Sequence, residues 1–167
     1  MPSSGKYPLE QLAFIKKKRL EEAERILRDK KEKLAEEEEK LRKAKKTRDK
    51  VKEHKLDKLE KLRGALDAGE RTDKIEQMRV YLKLVEEDLK EKESAVATQA
   101  KEVEKAEEEV EAARKNMVKK QQEVEKIKEH RKTWEVEMRE EEKKEEAKES
   151  DEMGSVRHAK KRKRDGG

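Results

Sequence analysis

Apolar residues recur at alternating spacings of three and four along most of the second half of the chain. One row repeats every seven residues from Ile75 to Met138, and nine of its ten positions are apolar. A companion row repeats every seven residues from Met78 to Trp134, and in it Lys, Gln and Ala stand between larger apolar residues. Two such rows lie on one face of an α-helix, and a sustained seven-residue repeat is typical of coiled coils. The pattern predicts one long helix with a narrow apolar seam.

The first half carries a seam of its own. Leucines recur every seven residues from Leu20 to Leu41, after which the phase shifts by one residue and resumes at Leu59, Leu62 and Leu66. This shift is equivalent to a four-residue insertion in the repeat, which locally unwinds a supercoil. A second shift is expected near Lys16. Because the second helix has no matching shift, we expect imperfect pairing at these places.

A polar segment, RGALDAGERTDK, separates the two halves. Gly64 and Gly69 suit a helix C-terminus and a turn, and Thr72 or Asp73 suits the cap of the next helix. The predicted boundaries are a disordered N-terminus at 1–7, helix 1 at about 8–66, a turn at about 67–72, helix 2 at about 73–148, and a disordered basic tail at 151–167.

Two helices of similar length joined by a short loop are expected to fold back on each other. The predicted fold class is therefore all-α, with two long helices forming an antiparallel coiled-coil hairpin over residues 8–150. Matching the seams across the turn places Leu27 opposite Ala113 and Trp134 near Tyr7. The alternative is a parallel dimer of continuous helices, which would bridge both glycines as helix at about 1 kcal/mol each.

Composition supports the helical interpretation. Charged residues make up 54% of the 167 residues, hydrophobic residues 30% and aromatic residues 2%. This is too little apolar material for a compact core, which leaves disorder or long helices with a narrow buried stripe. Both prolines lie near the N-terminus, and strong helix formers dominate the remainder.

Cysteine and hydropathy indicate the compartment. The chain has no cysteine, so no disulfide framework is expected. No apolar run approaches the roughly 20 residues that a membrane span needs. We therefore expect an intracellular protein without membrane insertion.

The formal net charge of +5 is concentrated at the C-terminus. Residues 154–167 contain six Lys or Arg residues and one Asp, so the charges of the preceding 153 residues cancel. A balanced body is a poor binder of phosphate, and we do not expect nucleic acid as a partner. The tail itself, RHAKKRKR, would suit nuclear import or nucleic-acid contact.

The segment YPLEQLAFIKKKR, residues 7–19, places several apolar side chains beside three consecutive lysines. At 100° per residue, the seam face holds Leu9, Leu12, Lys16 and Leu20. Phe14 points about 150° away from it and Ile15 roughly 100° away. A two-helix structure has nothing on its far side to bury them. They are either scattered surface residues, which are common, or anchors of a docking surface.

Two further features belong to the docking hypothesis. Lys16, Lys17, Lys18 and Arg19 would supply charge around the apolar anchors, and Lys17 and Lys18 are the two assigned to the site. Trp134 would be partly covered, because its partner lies at the beginning of helix 1. It either contributes to the docking surface or closes the end of the coil together with Tyr7.

No catalytic or metal-binding pattern is found in the sequence. The three histidines are far apart and no cysteine accompanies them, and the runs of glutamate have lysine neighbours typical of solvated helix faces. There is no glycine-rich phosphate loop. We expect no enzymatic activity, no metal, no cofactor and no small-molecule substrate.

The stretch YPLEQLAFIKKKRLEEAERIL, residues 7–27, resembles the N-terminus of the YscO/FliJ family of type III secretion proteins, and chlamydial YscO-like members most of all. The resemblance covers about residues 7–150. It implies a cytoplasmic central stalk, peripheral to the membrane-embedded secretion apparatus and similar to the shaft of rotary ATPases, with a role in virulence. The implied partners are the secretion ATPase hexamer, an export-gate protein and, for some members, export chaperones.

The resemblance also implies which end meets the ATPase. The end that carries both termini is expected in the ATPase ring. The residues that map there by position are Leu9, Leu12, Phe14, Ile15, Lys17, Lys18 and Trp134. The family pattern gives the basic tail no role. The alternative function is therefore a nuclear or cytoskeletal coiled-coil adaptor or scaffold whose tail binds nucleic acid or an import receptor.

Overall fold

The computed structural model describes residues 5–166, and within them the chain forms two α-helices and no strand. Helix α1 spans Glu10–Asp67 and helix α2 spans Thr72–Asp165. Neither helix contains a proline, and both are built mainly from residues with high helix propensity. The all-α class is confirmed, and the two bounds at the turn lie within one residue of those predicted.

Helix α1 ends in a glycine-dependent turn. Gly69 has a φ of +69°, a left-handed conformation that costs glycine little because it has no Cβ. Its amide donates to the carbonyl of Leu66 at 3.2 Å, and the amide of Glu70 donates to that of Ala65 at 3.1 Å. This pair of bonds is a Schellman motif, which satisfies carbonyls left open at a helix end. Gly64, in contrast, lies inside α1.

The capping position of helix α2 lies one residue earlier than the first of the two that were predicted. The amide of Ile75 donates to the carbonyl of Arg71 at 3.0 Å, which makes Arg71 the capping position rather than Thr72 or Asp73. Asp73 lies in the first turn, 3.4 Å from Arg71. A carboxylate there stabilises the helix by facing its positive end.

The predicted seam of α2 is confirmed residue by residue. From Ile75 to Met138, every position of the two predicted rows is buried or half-buried except Arg131, which is exposed. The fully buried members are Leu82, Val85, Leu89, Val103, Ala106, Val110, Ala113 and Val124. The helix therefore buries one narrow stripe and leaves its remaining faces in solvent.

The predicted phase shift in the second half of α1 is wrong. Covered positions of residues 23–65 continue at spacings of three and four, through Lys55 and Lys58, without interruption. Of the three leucines expected to resume the seam, Leu62 is buried, Leu59 half-buried and Leu66 exposed. Since the seam of α2 has no shift, a shift in α1 would leave α2 residues without partners. Lysine stems can cover apolar surface while their ammonium groups stay in water, so the helix keeps its phase.

Residues 22–117 form one compact unit, in which the two helices run in opposite directions. Leu27 packs with Val110 and Ala113 in a buried cluster. Nearer the turn, His54 Nε2 lies 3.0 Å from Tyr81 Oη. The predicted pairing of Leu27 with Ala113 is confirmed, and the parallel-dimer alternative is wrong.

Polar residues within this seam bond to each other across the helices. The side-chain amide of Gln99 donates to the carbonyl of Glu37 at 3.0 Å and to its carboxylate at 2.5 Å. Lys30 Nζ lies 3.2 Å from Glu109 Oε2. The bond from Gln99 is the main cause of a lowered pKa for the Glu37 carboxyl. The bond from Lys30 is likewise the main cause of a lowered pKa for Glu109.

The C-terminal boundary requires a correction. Helix α2 does not end near residue 148 but continues to Asp165, through most of the tail predicted to be disordered. The segment contains no proline, and its single interior glycine, Gly154, costs a helix only about 1 kcal/mol. Three basic residues in the last turn favour the helix by facing its negative end. Gly167 lies outside the described residues.

Neither α1 nor α2 contains, within the described part of the chain, an apolar stretch of the length and hydropathy that crossing a membrane requires.

Candidate partner-binding surface

Residues 5–21 and 118–166 belong to a second unit, in which Tyr7 packs against α2. The Tyr7 side chain is only 3% exposed. Its ring packs edge-on against Trp134 with centroids 5.5 Å apart, and its hydroxyl lies 2.5 Å from His130 Nδ1. The guanidinium of Arg131 covers another side of the ring, 5.6 Å from the centroid.

This packing corrects the predicted N-terminus. Residues 1–4 lie outside the described part of the chain, but Tyr7 is held by three side chains of α2 and is not disordered. An aromatic ring gains from burial and from edge-to-face contact, which explains why the chain is fixed before α1 begins. Trp134 is half-buried against Tyr7, as the end-closing interpretation predicts.

The seam of α1 continues through this unit without the second predicted shift. Leu9, Ala13, Lys16 and Leu20 are half-buried at spacings of four, three and four. Leu12, expected on the seam face, is 39% exposed because Ala13 occupies that position instead. Of the predicted apolar site residues on α1, Leu9 therefore belongs to the seam and Leu12 lies at its margin.

Phe14 and Ile15 point outward, as the helical phase predicts. They are 61% and 44% exposed, and together with Glu10 and Gln11 they line an open apolar depression on α1. Lys18 Nζ lies 5.4 Å from the centroid of the Phe14 ring, a cation–π contact that favours one orientation of the exposed ring. The helix thus presents a large aromatic side chain that nothing in its own unit buries.

The three lysines that follow divide between two environments. Lys16 turns toward α2, where its Nζ lies 3.2 Å from Glu123 Oε2 and lowers the pKa of that carboxyl. Lys17 and Lys18 are exposed, and the ion pair of Lys18 with Glu21, at 3.4 Å, is exposed as well. The basic rim of the depression therefore consists of Lys17 and Lys18, while Lys16 ties the helices together.

We use the name Phe14 surface for the exposed group Phe14, Ile15, Lys17 and Lys18 with the margin residue Leu12. Glu10 and Gln11 also line it and were not among the predicted residues. Their position one turn before Phe14 was readable from the helical period alone. Glu10 is paired with Arg131 of α2 at 3.1 Å, which fixes the N-terminal edge of the surface.

Within residues 5–166 no group of three or more His, Cys, Asp or Glu side chains converges where it could hold a metal ion. His54 of α1 bonds to Tyr81 of α2, and His130 of α2 bonds to Tyr7 in the segment before α1, so both histidines join these parts of the chain.

Comparison with known proteins points to a single family. A family model described as YscO-like protein matches residues 4–164. A solved structure from Chlamydia trachomatis, described as that of a YscO homolog, CT670, is 40% identical and superposes with a TM-score of 0.87. The match covers 92% of this chain and 95% of that one. A search of the curated proteins finds no match.

Proposed function

Because the chain belongs to the YscO-like family of type III secretion-associated helical proteins, we propose that it acts as a central-stalk component of a type III export apparatus. In this proposal it engages the secretion ATPase hexamer and couples it to an export-gate protein or to export chaperones. It does so in the cytoplasm, peripheral to the membrane-embedded apparatus. It has no enzymatic activity of its own, in keeping with a family that is non-enzymatic.

The observation that carries the ATPase contact is the exposure of the Phe14 surface. Phe14 and Ile15 are outside the seam, so their exposed area does not stabilise the hairpin. Apolar side chains with a basic rim are typical of interface anchors, where aromatic residues contribute a large share of the binding energy. We assign this surface to the ATPase because it lies in the unit that holds both chain termini.

Trp134 has a different place in the proposal. Its ring is already packed against Tyr7, so it supports the end of the hairpin from inside. A partner that covers the Phe14 surface would meet a closed, ordered end. Such pre-organisation lowers the entropic cost of association.

The second contact, with a gate protein or a chaperone, is assigned to the unit that contains the turn. Val80, Tyr81 and Leu84 are exposed there on neighbouring positions of α2. Tyr81 is held from two sides, by His54 at 3.0 Å and by Lys58, whose Nζ lies 5.4 Å from the ring centroid. A fixed aromatic ring beside two exposed aliphatic residues is a second candidate anchor.

The adaptor alternative is disfavoured by the family. The family model matches residues 4–164, so it accounts for both helices and includes the basic residues on which an adaptor role would depend. The similarity to the Chlamydia trachomatis structure likewise extends over 92% of the chain.

Co-purification with the cognate secretion ATPase, followed by measurement of its hydrolysis rate, tests the proposal. The full chain is expected to co-elute with the ATPase and to raise its rate. An ATPase that neither binds the chain nor changes its rate would overturn the stalk assignment. A tag on the C-terminal end is the safer design, because Tyr7 is buried close to the N-terminus.

A further inference from the structure

Helix α2 continues far beyond the last residue that it buries. Met138 is half-buried, and every residue from 139 to 166 is exposed. We call residues 139–165 the α2 extension. It contributes no buried side chain to the hairpin, so packing within the chain gives no reason for its sequence.

The α2 extension has two parts of opposite charge. Residues 139–152 contain eight acidic and four basic residues, a net charge of −4, whereas residues 157–164 contain six Lys or Arg residues and no acidic one. Basic residues in the last turn stabilise a helix by themselves. That effect reaches Arg162, Lys163 and Arg164, which form the last basic turn, but it does not explain Arg157, Lys160 and Lys161.

Two exposed apolar side chains precede the basic cluster and share its face. Met153 is 60% exposed and Val156 is 53% exposed. At 100° per residue, both fall within an arc of roughly 120° that also contains most of the cations. These are Arg157, Lys160, Lys163 and Arg164. The end of α2 is thus amphipathic, with apolar and cationic groups directed to the same side.

We propose that residues 153–164 bind an anionic phospholipid surface and attach the end of α2 to it reversibly. Lysine and arginine attract lipid phosphates, and a cluster of four to eight of them is enough for surface binding. Met153 and Val156 would enter the boundary between headgroups and acyl chains, while the long basic side chains reach back to the phosphates. The acidic residues 139–152 would be repelled, which limits the contact to the end of the helix. This inference does not rest on the ATPase or gate contacts.

The same cations could attract nucleic acid, but two observations favour lipid. No Phe, Tyr or Trp follows Trp134, so the α2 extension lacks the large aromatic rings on which successive bases usually stack. Met153 and Val156 lie on the cationic face, where a phosphate backbone would leave them unused. A lipid surface accepts both groups at once.

The test is sedimentation of the full chain with phosphatidylcholine vesicles, with and without phosphatidylglycerol. Binding is expected only to the anionic vesicles, and it should weaken as salt screens the charges. The variant Lys160→Glu with Lys163→Glu should lower the partition coefficient at least about tenfold. The matched control is Lys45→Glu with Lys46→Glu, two exposed lysines of α1, which should bind as the unaltered chain does.

A second variant separates lipid from other polyanions. Met153→Ser with Val156→Ser should weaken vesicle binding several-fold while its slope against salt stays the same, since no charge has changed. Binding to an unrelated DNA duplex is measured alongside. Equal or tighter duplex binding, lost with the same two lysines, would overturn the lipid proposal. So would vesicle binding that survives the reversal at Lys160 and Lys163, or that is equal with neutral vesicles.

Discussion

The ring of Tyr7 packs edge-on against Trp134, so a residue that precedes α1 is fixed by the far part of α2. Tyr7 is one of the least exposed side chains of the described part of the chain, at 3%. The contact turns the open end of a hairpin into a closed one. It also places the only tryptophan of the protein next to the residue that covers it.

Tyr7→Ala should uncover Trp134 and loosen this end. Because Tyr7 lies at one end of the paired helices, we expect the loss of stability to be smaller than the roughly 3–5 kcal/mol typical of a fully buried aromatic residue. The emission of Trp134 should shift to longer wavelength while the far-ultraviolet circular dichroism stays nearly unchanged. Tyr7→Phe keeps the ring and removes only the bond to His130, so its emission should resemble that of the unaltered protein. An unshifted spectrum in Tyr7→Ala would contradict the packing.

The closing role of Tyr7 was only one of two interpretations open to the sequence. A heptad pattern places Trp134 near Tyr7, but it does not say whether a residue before the first helix is ordered. That depends on three side chains, Trp134, His130 and Arg131, which all come from one short stretch of α2. Such convergence is a tertiary event and leaves no periodic trace.

The seam of α2 was predictable because the same requirement, a side chain that the partner helix can cover, recurs at every third or fourth residue. Leu66 shows where that logic fails, since it is apolar and exposed while Lys55 and Lys58 occupy the seam. Apolar identity alone suggested a shift in phase. The unbroken repeat of the partner helix decided the register, and this required both helices to be considered together.

The candidate surface was predictable in its orientation and not in its extent. Phe14 and Ile15 point outward as the 100° step requires, and Lys16 lies on the predicted seam face, where its ion pair with Glu123 separates it from the cations expected around Phe14. The binding role of the surface stays a prediction. Local period gives direction, but the ion pair with Glu123 depends on the partner helix.

The register can be tested by a disulfide. Leu27→Cys with Ala113→Cys replaces two side chains of one buried cluster, so oxidation should form a bond within a single chain. Such a bond requires Cα atoms within about 7 Å. A faster-migrating monomer on a non-reducing gel is the expected result. Leu27→Cys with Val118→Cys is the matched control, because Val118 is exposed. Cross-links that form only between chains would contradict the hairpin.

Acid should destabilise the hairpin through its bonded carboxyls. The pKa of Glu37 is lowered from 4.5, chiefly by the bond from Gln99, and that of Glu109 is lowered chiefly by Lys30. A carboxyl whose pKa is lower in the folded than in the unfolded state stabilises the fold. Its contribution reaches full size at pH values above the unfolded-state pKa. This contribution is lost as the pH falls below about 4.5 and through the folded-state pKa. The melting temperature should therefore decrease in that range.

A glutamine at position 37 provides the control for this effect. Glu37→Gln cannot be protonated, so the decrease in melting temperature on acidification should be smaller than in the unaltered protein. Glu36→Gln changes an exposed neighbour by the same chemistry and should leave the decrease as it was. Identical acid profiles for Glu37→Gln and Glu36→Gln would show that the bond to Gln99 does not affect the stability of the folded chain.

Phe14→Ala should separate binding from folding. The side chain is 61% exposed, so its removal creates no cavity and should change the melting temperature little. If Phe14 anchors the ATPase, its loss should weaken that complex by about 2 kcal/mol, roughly 30-fold in Kd. Reversal of charge at Lys17 and Lys18 should slow association and make it less sensitive to salt.

Leu27→Ala is the matched control for Phe14→Ala, because it truncates a large apolar residue of the same helix that is buried in the seam. It should lower the melting temperature markedly, with a cost of about 2–5 kcal/mol for a well-packed site. A Phe14→Ala variant that unfolds as readily as Leu27→Ala would show that Phe14 is part of the packing. If Phe14→Ala changes neither the melting temperature nor the affinity for the ATPase, Phe14 is an ordinary exposed residue, and the assignment of this surface is wrong.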